Sequence, residues 1–339
     1  MEETRPGLVR PVHLDPTGRA GPTRGQARNP KRWRRSSFGF YVPAWVDADD
    51  VEQRILEASV VLRPFQAVTG WAALRWLGAT WFSGVDARGE RRPVDLLIST
   101  HDIDPQPGFV VCGEGTSQGN MRWVDGVRVT VPAWSVAFMM RYAPGLHEAV
   151  EALDMAAYSD LASIAEVAEV VGHQSSWTGV PQAREAIALG DENAWSPREV
   201  RLRLLWAAAV EGVRLSSNLP LFDRAGRHLG TPDVVDAAAG VAADYDGVAH
   251  LGREQRRSDR TRDELFATHG IEMVRWLSGD RPGDFLARLH RAYARAARRT
   301  GPRTWSAVAP PDWVSTTTVA ARRALTDQQR ARLLRYRTA

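Results

Sequence analysis

The chain has 339 residues, 44% hydrophobic and 25% charged, enough for two domains with their own cores, which excludes a disordered tail or a disulfide miniprotein. Lys31 is the only lysine and Cys112 the only cysteine, which rules out Schiff-base chemistry in the folded body, a Walker-type phosphate loop, an internal disulfide and cysteine-rich zinc or iron–sulfur sites. The net charge of +4 is the sum of unequal parts: residues 1–35 carry nine basic and three acidic residues, 295–339 ten and two, and the segment between them 25 and 35. No apolar run approaches the roughly 20 residues that span a bilayer, and no apolar signal region opens the chain. A soluble, cytoplasmic protein without membrane contact is expected.

Residues 1–35 mix Pro, Gly, Arg and Thr without apolar periodicity, so they are expected to form a disordered basic arm, either a solvated tail or a nucleic-acid contact. The next segment, 36–194, reads as an α+β domain. Asp49 to Ala58 and Val68 to Leu77 have helical spacing, the latter through Trp71, Leu74 and Leu77. Short β-rich runs follow at Val94 to Ser99, Phe109 to Cys112 and Val127 to Val131, and then helices at Trp134 to Arg141, His147 to Tyr158, Leu161 to Val171 and Val180 to Ala188. Asp160 stands where an N-cap of the third of these helices would sit. This acidic half carries no triad, phosphate loop or ligand cluster, and a protein partner is the contact its charge allows.

Ser196-Pro197-Arg198-Glu199 then gives a complete helix start, with Ser at N-cap, Pro at N1 and Glu at N3. Three β runs follow, Leu215 to Phe222, Arg227 to Val235 and Gly240 to Asp246, the first two joined by the turn Asp223-Arg224-Ala225-Gly226. A helix from Arg253 to His269 ends at Gly270 as C′ residue, Ile271 to Trp276 is a strand, and Asp284 to Arg298 is a helix. The order over 195–298 is αβββαβα, an α/β domain. Residues 299–339 read as a basic tail with a short helix near Thr326 to Arg335.

If the second and third strands of this domain are neighbours, Asp233 and Asp244 face each other near one end of the sheet, and Glu199 arrives from the packed helix. Carboxylates converging in this way suit Mg²⁺, which takes few protein ligands and keeps positions for water and phosphate. Bland alternatives stand beside each residue. Glu199 is explained by capping alone, Asp233 by a strand-edge turn, Asp246-Gly247 by a strand-to-loop turn and His250 by a surface loop. Arg253, Arg256, Arg257, Arg260 and Arg262 form either a solvated face or a phosphate-tracking surface. The tryptophans at 71, 76 and 206 read as packing.

The ordered set of Ser-Pro-x-Glu, Gly230-x-Pro232-Asp233, Asp244-Tyr245-Asp246-Gly247-x-x-His250, Asp259-x-x-Arg262 and Gly270-x-x-x-x-Arg275 resembles the PD-(D/E)XK restriction-endonuclease-like superfamily. Within it, the set is most similar to a Vsr-related C-terminal domain of actinobacterial proteins. The resemblance implies a restriction-endonuclease-like fold and Mg²⁺- or Mn²⁺-dependent hydrolysis of DNA phosphodiesters, in repair or defence. It would make Asp233 and Asp244 metal ligands, Glu199 a supporting acid and His250 a group near the scissile phosphate, with Asp246 in the place of the superfamily's lysine. Residues 50–192 resemble the AbiEi-like antitoxin-type region through Val68-Thr69-Gly70-Trp71-Ala72-Ala73-Leu74, Asp125 to Thr130 and Ala152 to Ala157. Asp rather than the family's usual Glu at 244, together with the missing lysine, leaves a second expectation open: a catalytically degenerate nucleic-acid-binding or antitoxin-like regulatory protein.

Overall fold

Strand pairing takes up the backbone of the arginine-rich opening segment. The computed structural model describes residues 4–86, 88–99, 102–246 and 262–337. Here β1 (Val12–His13), the short helix α1 (Arg24–Ala27), β2 (Trp33–Ser37) and β3 (Phe40–Pro43) build an antiparallel sheet of order β1-β3-β2. A reciprocal capping box between Thr23 and Gln26 closes the start of α1. The expected disordered arm over 1–35 is therefore corrected. β3 supplies partners for its backbone, and two of its arginines find acids: Arg5 pairs with Glu52 at 3.0 Å and Asp125 at 2.8 Å, and Arg34 pairs with Glu57 at 2.7 Å.

The chain continues through α2 (Val51–Ser59), β4 (Ala67–Val68), α3 (Gly70–Trp76), β5 (Val94–Leu97), β6 (Phe109–Cys112), β7 (Met121–Val124), β8 (Val127–Thr130) and α4 (Pro132–Tyr142). The second sheet has the order β6-β5-β4-β8-β7, parallel at β4/β8 and β5/β6 and antiparallel elsewhere. Trp71 and Trp76 are buried as packing residues, each indole N–H satisfied by a carbonyl at 2.8 Å, those of Pro93 and Val124.

Helices α5 (Leu146–Tyr158), α6 (Ile164–Gly172) and α7 (Val180–Leu189) follow. Residues 1–143 and 165–183 form one compact unit, and 144–164 with 184–339 form a second. The expected division at 194/195 thus falls elsewhere, because α5 carries Asp154, whose carboxylate pairs at 2.6 Å with Arg203 of the second unit. Asp160 is not the N-cap of α6. It has φ +57° and its carboxylate holds Arg322, Arg330 and Arg337, while the Ile164 N–H opening α6 donates to Glu192.

In the second unit the chain forms α8 (Pro197–Ala209), β9 (Ser216–Ser217), β10 (Leu221–Asp223), β11 (His228–Gly230), β12 (Val234–Asp236) and β13 (Val241–Asp246). Next come the helical residues 262–269, designated α9, then β14 (Glu272–Leu277), α10 (Pro282–Ala296), β15 (Trp305–Ser306), α11 (Val319–Arg323) and α12 (Asp327–Leu333). Both units are mixed α and β. Each of the two runs expected as single strands before β13 divides in two: Asn218 at φ +47° followed by Pro220 breaks the first, and Pro232, lacking an N–H, breaks the second. The pieces enter separate sheets, β14-β13-β12-β9 and β11-β10-β15. In the larger, β13 runs parallel to β14 and antiparallel to β12.

Side chains alternate across the larger sheet. Val234, Ala243, Val274 and Trp276 pack with Leu202 and Trp206 of α8 and Phe285 and Leu289 of α10. Val235 and Ala242 face the other way, with Leu221, Phe266 of α9 and Trp305. The expected C-terminal tail is corrected as well. β15 pairs with β10, and Arg322 is fully buried, its guanidinium donating to Asp160 and to the carbonyls of Ala157, Glu192 and Thr316.

Candidate functional site

The antiparallel register that pairs Val234 with Ala243 brings Asp233 opposite Asp244. The two are interlocked through their backbones: the Asp233 N–H donates to Asp244 Oδ1 at 3.1 Å, and the Tyr245 N–H donates to Asp233 Oδ2 at 2.7 Å. By strand alternation, Asp244 and Asp246 of β13 and Arg275 of β14 share the α9 face of the sheet. Arg262 at the start of described α9 pairs with Asp244, while Arg275 bridges Asp263 at 2.6 Å and Asp246 at 3.4 Å.

Glu199 reaches the same end of the sheet from the first turn of α8. Its N–H donates to the N-cap Ser196 Oγ at 3.3 Å, so the expected cap is present. Capping does not exhaust the side chain. Oε2 accepts from the Trp195 N–H at 2.8 Å and from Asn218 Nδ2 at 2.6 Å, and Oε1 accepts from Ser196 Oγ at 2.9 Å.

The site concentrates negative charge away from water. Burial and then the charges of Asp244 and Glu199 push the Asp233 carboxyl well above the usual carboxylate range. Burial raises Asp244, opposed by Arg262, and raises Glu199 against its three hydrogen bonds. Each ionised carboxylate makes its neighbours harder to ionise, so the group favours either shared protons or a cation. Among the described residues no set of three or more His, Cys, Asp or Glu side chains is arranged to hold a metal ion. His250, Arg253, Arg256, Arg257 and Arg260 lie outside the described residues.

Sequence reasoning missed Asn218 and the polar chain behind it. Asn218 sits at φ +47°, its N–H donating to the Asp233 carbonyl at 2.9 Å, and its side chain joins Glu199 to the Asn193 carbonyl. Asn193 returns bonds from its own side chain to the carbonyls of Ser217 and Asn218, both at 2.9 Å. The Asp191 carboxylate accepts from the Ser217 N–H at 2.8 Å, and the Asp191 backbone N–H donates to Asp154 Oδ1 at 2.8 Å. The signal was the αL-tolerant Asn-x-Pro of residues 218–220, a turn marker rather than a chemical one.

Gly230 of the Gly-x-Pro-Asp segment has a packing reason. A Cβ there would lie 2.8 Å from the Phe266 ring and 3.1 Å from the Arg262 stem. Gly230→Ala should therefore displace α9 and cost about 1–3 kcal/mol of stability, read as a lowered urea midpoint at unchanged slope. A midpoint equal to wild type would show that α9 does not press on this strand.

Comparison of the chain with protein-family models, with curated proteins and with solved structures gives no match.

Proposed function

We propose that the second unit is a metal-dependent DNA endonuclease that hydrolyses phosphodiester bonds, with a restriction-endonuclease-like arrangement of α8, the mixed sheet, α9 and α10. The observation that carries this reading is the interlocked pair of half-buried Asp233 and buried Asp244, beside buried Glu199, with more carboxylate than cation around them among the described residues. That donor set fits a hard divalent ion, Mg²⁺ or Mn²⁺, held by Asp233 and Asp244. When bound, such an ion supplies an activated water and neutralises charge on the phosphodiester. Glu199, fixed by three hydrogen bonds, orients what enters from the α8 side. Arg275 holds Asp246 and so covers the position of the missing lysine with a bridged pair.

A second reading rests on Arg262, which pairs with Asp244 and already supplies the cation that a metal would. In that case the same fold binds nucleic acid, or serves as an antitoxin-like regulator, without cleaving. Calorimetric titration of the full chain with Mn²⁺, alongside nicking of supercoiled plasmid in Mg²⁺, separates the two. The endonuclease should bind the ion and convert plasmid to open circles. Absence of ion binding, with DNA affinity intact in EDTA and steeply salt-dependent, would leave only the second reading.

A further inference from the structure

The first unit contains a cavity of about 1210 Å³ walled by β2, the β2–β3 turn, α2 and the segments around Arg92 and Asp104. That is larger than the roughly 300–1,000 Å³ of small-molecule sites and suits an extended ligand. Its charge is uneven. Glu57 is held by Arg34 and Asp102 by Arg63 at 3.1 Å, and Arg92 lies in the field of Asp95 and Asp86, but Arg35 and Arg54 make no ion pair among the described residues. Arg54 is instead fixed by carbonyl oxygens of Gly84 and Arg92, which orient a guanidinium without neutralising it.

Among the described residues, three polar atoms of wall residues are buried without a partner: Ser36 Oγ, Ser37 Oγ and Arg34 Nε. Ser37 is only 5% exposed. Buried donors are seldom left unmet, and donors beside surplus guanidinium charge call for an anionic oxygen ligand. The strand geometry is built for this. The register of β2 against β3 shifts between Arg35 and Ser37, so that Ser36 is an extra residue, and such bulges re-aim side chains. At the rim, Phe38 is 74% exposed, its N–H pinned to Gln106 Oε1 at 2.6 Å and the Arg35 guanidinium lying 5.0 Å over its ring.

From the unneutralised arginines, the orphan hydroxyls and the exposed ring together, we infer that this cavity binds single-stranded nucleic acid. The guanidinium and hydroxyl groups take the phosphodiester oxygens, and Phe38 offers a face on which a base stacks. A positive track beside an aromatic platform is the arrangement that binds unpaired strands with little sequence preference. The cavity belongs to the first unit and the carboxylates of the proposed nuclease site to the second, and occupancy of the cavity needs no metal and no cleavage.

The test is fluorescence anisotropy of a labelled oligothymidylate of about ten nucleotides with the full chain in EDTA, where metal-dependent chemistry is silent. Phe38→Ala should weaken binding about tenfold, the loss of one stacked base. Arg35→Gln should reduce the slope of log K against log salt by about 0.7, one phosphate contact on a single strand. Both positions are exposed, and circular dichroism identical to wild type checks that both variants fold. Wild-type affinity and salt slope in both variants would overturn the assignment. So would displacement of the oligomer by an equal concentration of thymidine monophosphate, which would give the cavity to a small phosphate ligand.

Discussion

Asp233→Asn should reduce Mg²⁺-dependent plasmid nicking by about a thousandfold or more while raising the melting temperature at neutral pH. The two effects have one cause. Asp233 sits half-buried against Asp244 and Glu199, and its carboxyl is held well above its ordinary value by desolvation and those charges. A group whose folded value is raised binds its proton more tightly in the native state, so stability falls as pH climbs from about 3.9, the unfolded value, through the raised folded value. At neutral pH the negative charge is then a liability in the absence of a cation. The asparagine oxygen can still accept the Tyr245 N–H that Asp233 Oδ2 accepts at 2.7 Å, so the variant loses the charge and keeps the bond. The melting curves of the two proteins should coincide near pH 4 and separate towards pH 7, with the variant higher. Saturating Mg²⁺ should raise the wild-type melting temperature and leave that of the variant unmoved. Equal nicking rates for wild type and variant would remove Asp233 from the chemistry and sink the endonuclease reading.

Those carboxylates were legible because their signals are local or follow strand pairing. Ser196 to Glu199 announces its own helix, and Gly270 at φ +82° ends α9, with the Ile271 N–H donating to the Phe266 carbonyl. The facing of Asp233 and Asp244 required only that two neighbouring strands pair. What was not legible depends on distant partners. The arginines of residues 1–35 read as disorder because their composition is that of a solvated tail, and Glu52, Glu57 and Asp125, which pair with Arg5 and Arg34, lie elsewhere in the chain. Arg322 looks like a tail residue until Asp160, 162 positions earlier, and three carbonyls enclose it. The support of Glu199 by Asn218 and Asn193 is likewise a meeting of loops, for which no periodicity exists.

That support begins at a buried ion pair, and breaking it should give the largest loss of stability. Arg203 donates to Asp154 Oδ2 at 2.6 Å and to the Leu189 carbonyl, and Asp154 is fully buried. Arg203→Met keeps the apolar stem and leaves the carboxylate without its cation, a change worth about 3–5 kcal/mol. Burial pushes Asp154 up to about 7 even with Arg203 beside it. Without Arg203 the carboxyl moves higher still, so at low pH both proteins hold it neutral, and as pH rises past about 7 the wild type ionises it against Arg203 while the variant has no cation to meet the charge. The loss in Arg203→Met should therefore be full at pH 8 and smaller at pH 5, as read from urea unfolding at both pH values. Adding Asp154→Asn should recover most of the loss at pH 8, since an amide oxygen can still accept the Asp191 N–H that Asp154 accepts at 2.8 Å. The effect should extend to the site. Asp191 holds the Ser217 N–H, and Asn193 and Asn218 carry the connection to Glu199. Loosening the far end of this chain should lower nicking by about 10–100-fold, as loss of an outer-shell partner does, with Mn²⁺ affinity at Asp233 and Asp244 changed less than turnover. An Arg203→Met protein with wild-type unfolding at pH 8 would show that the pair is not the anchor of this network.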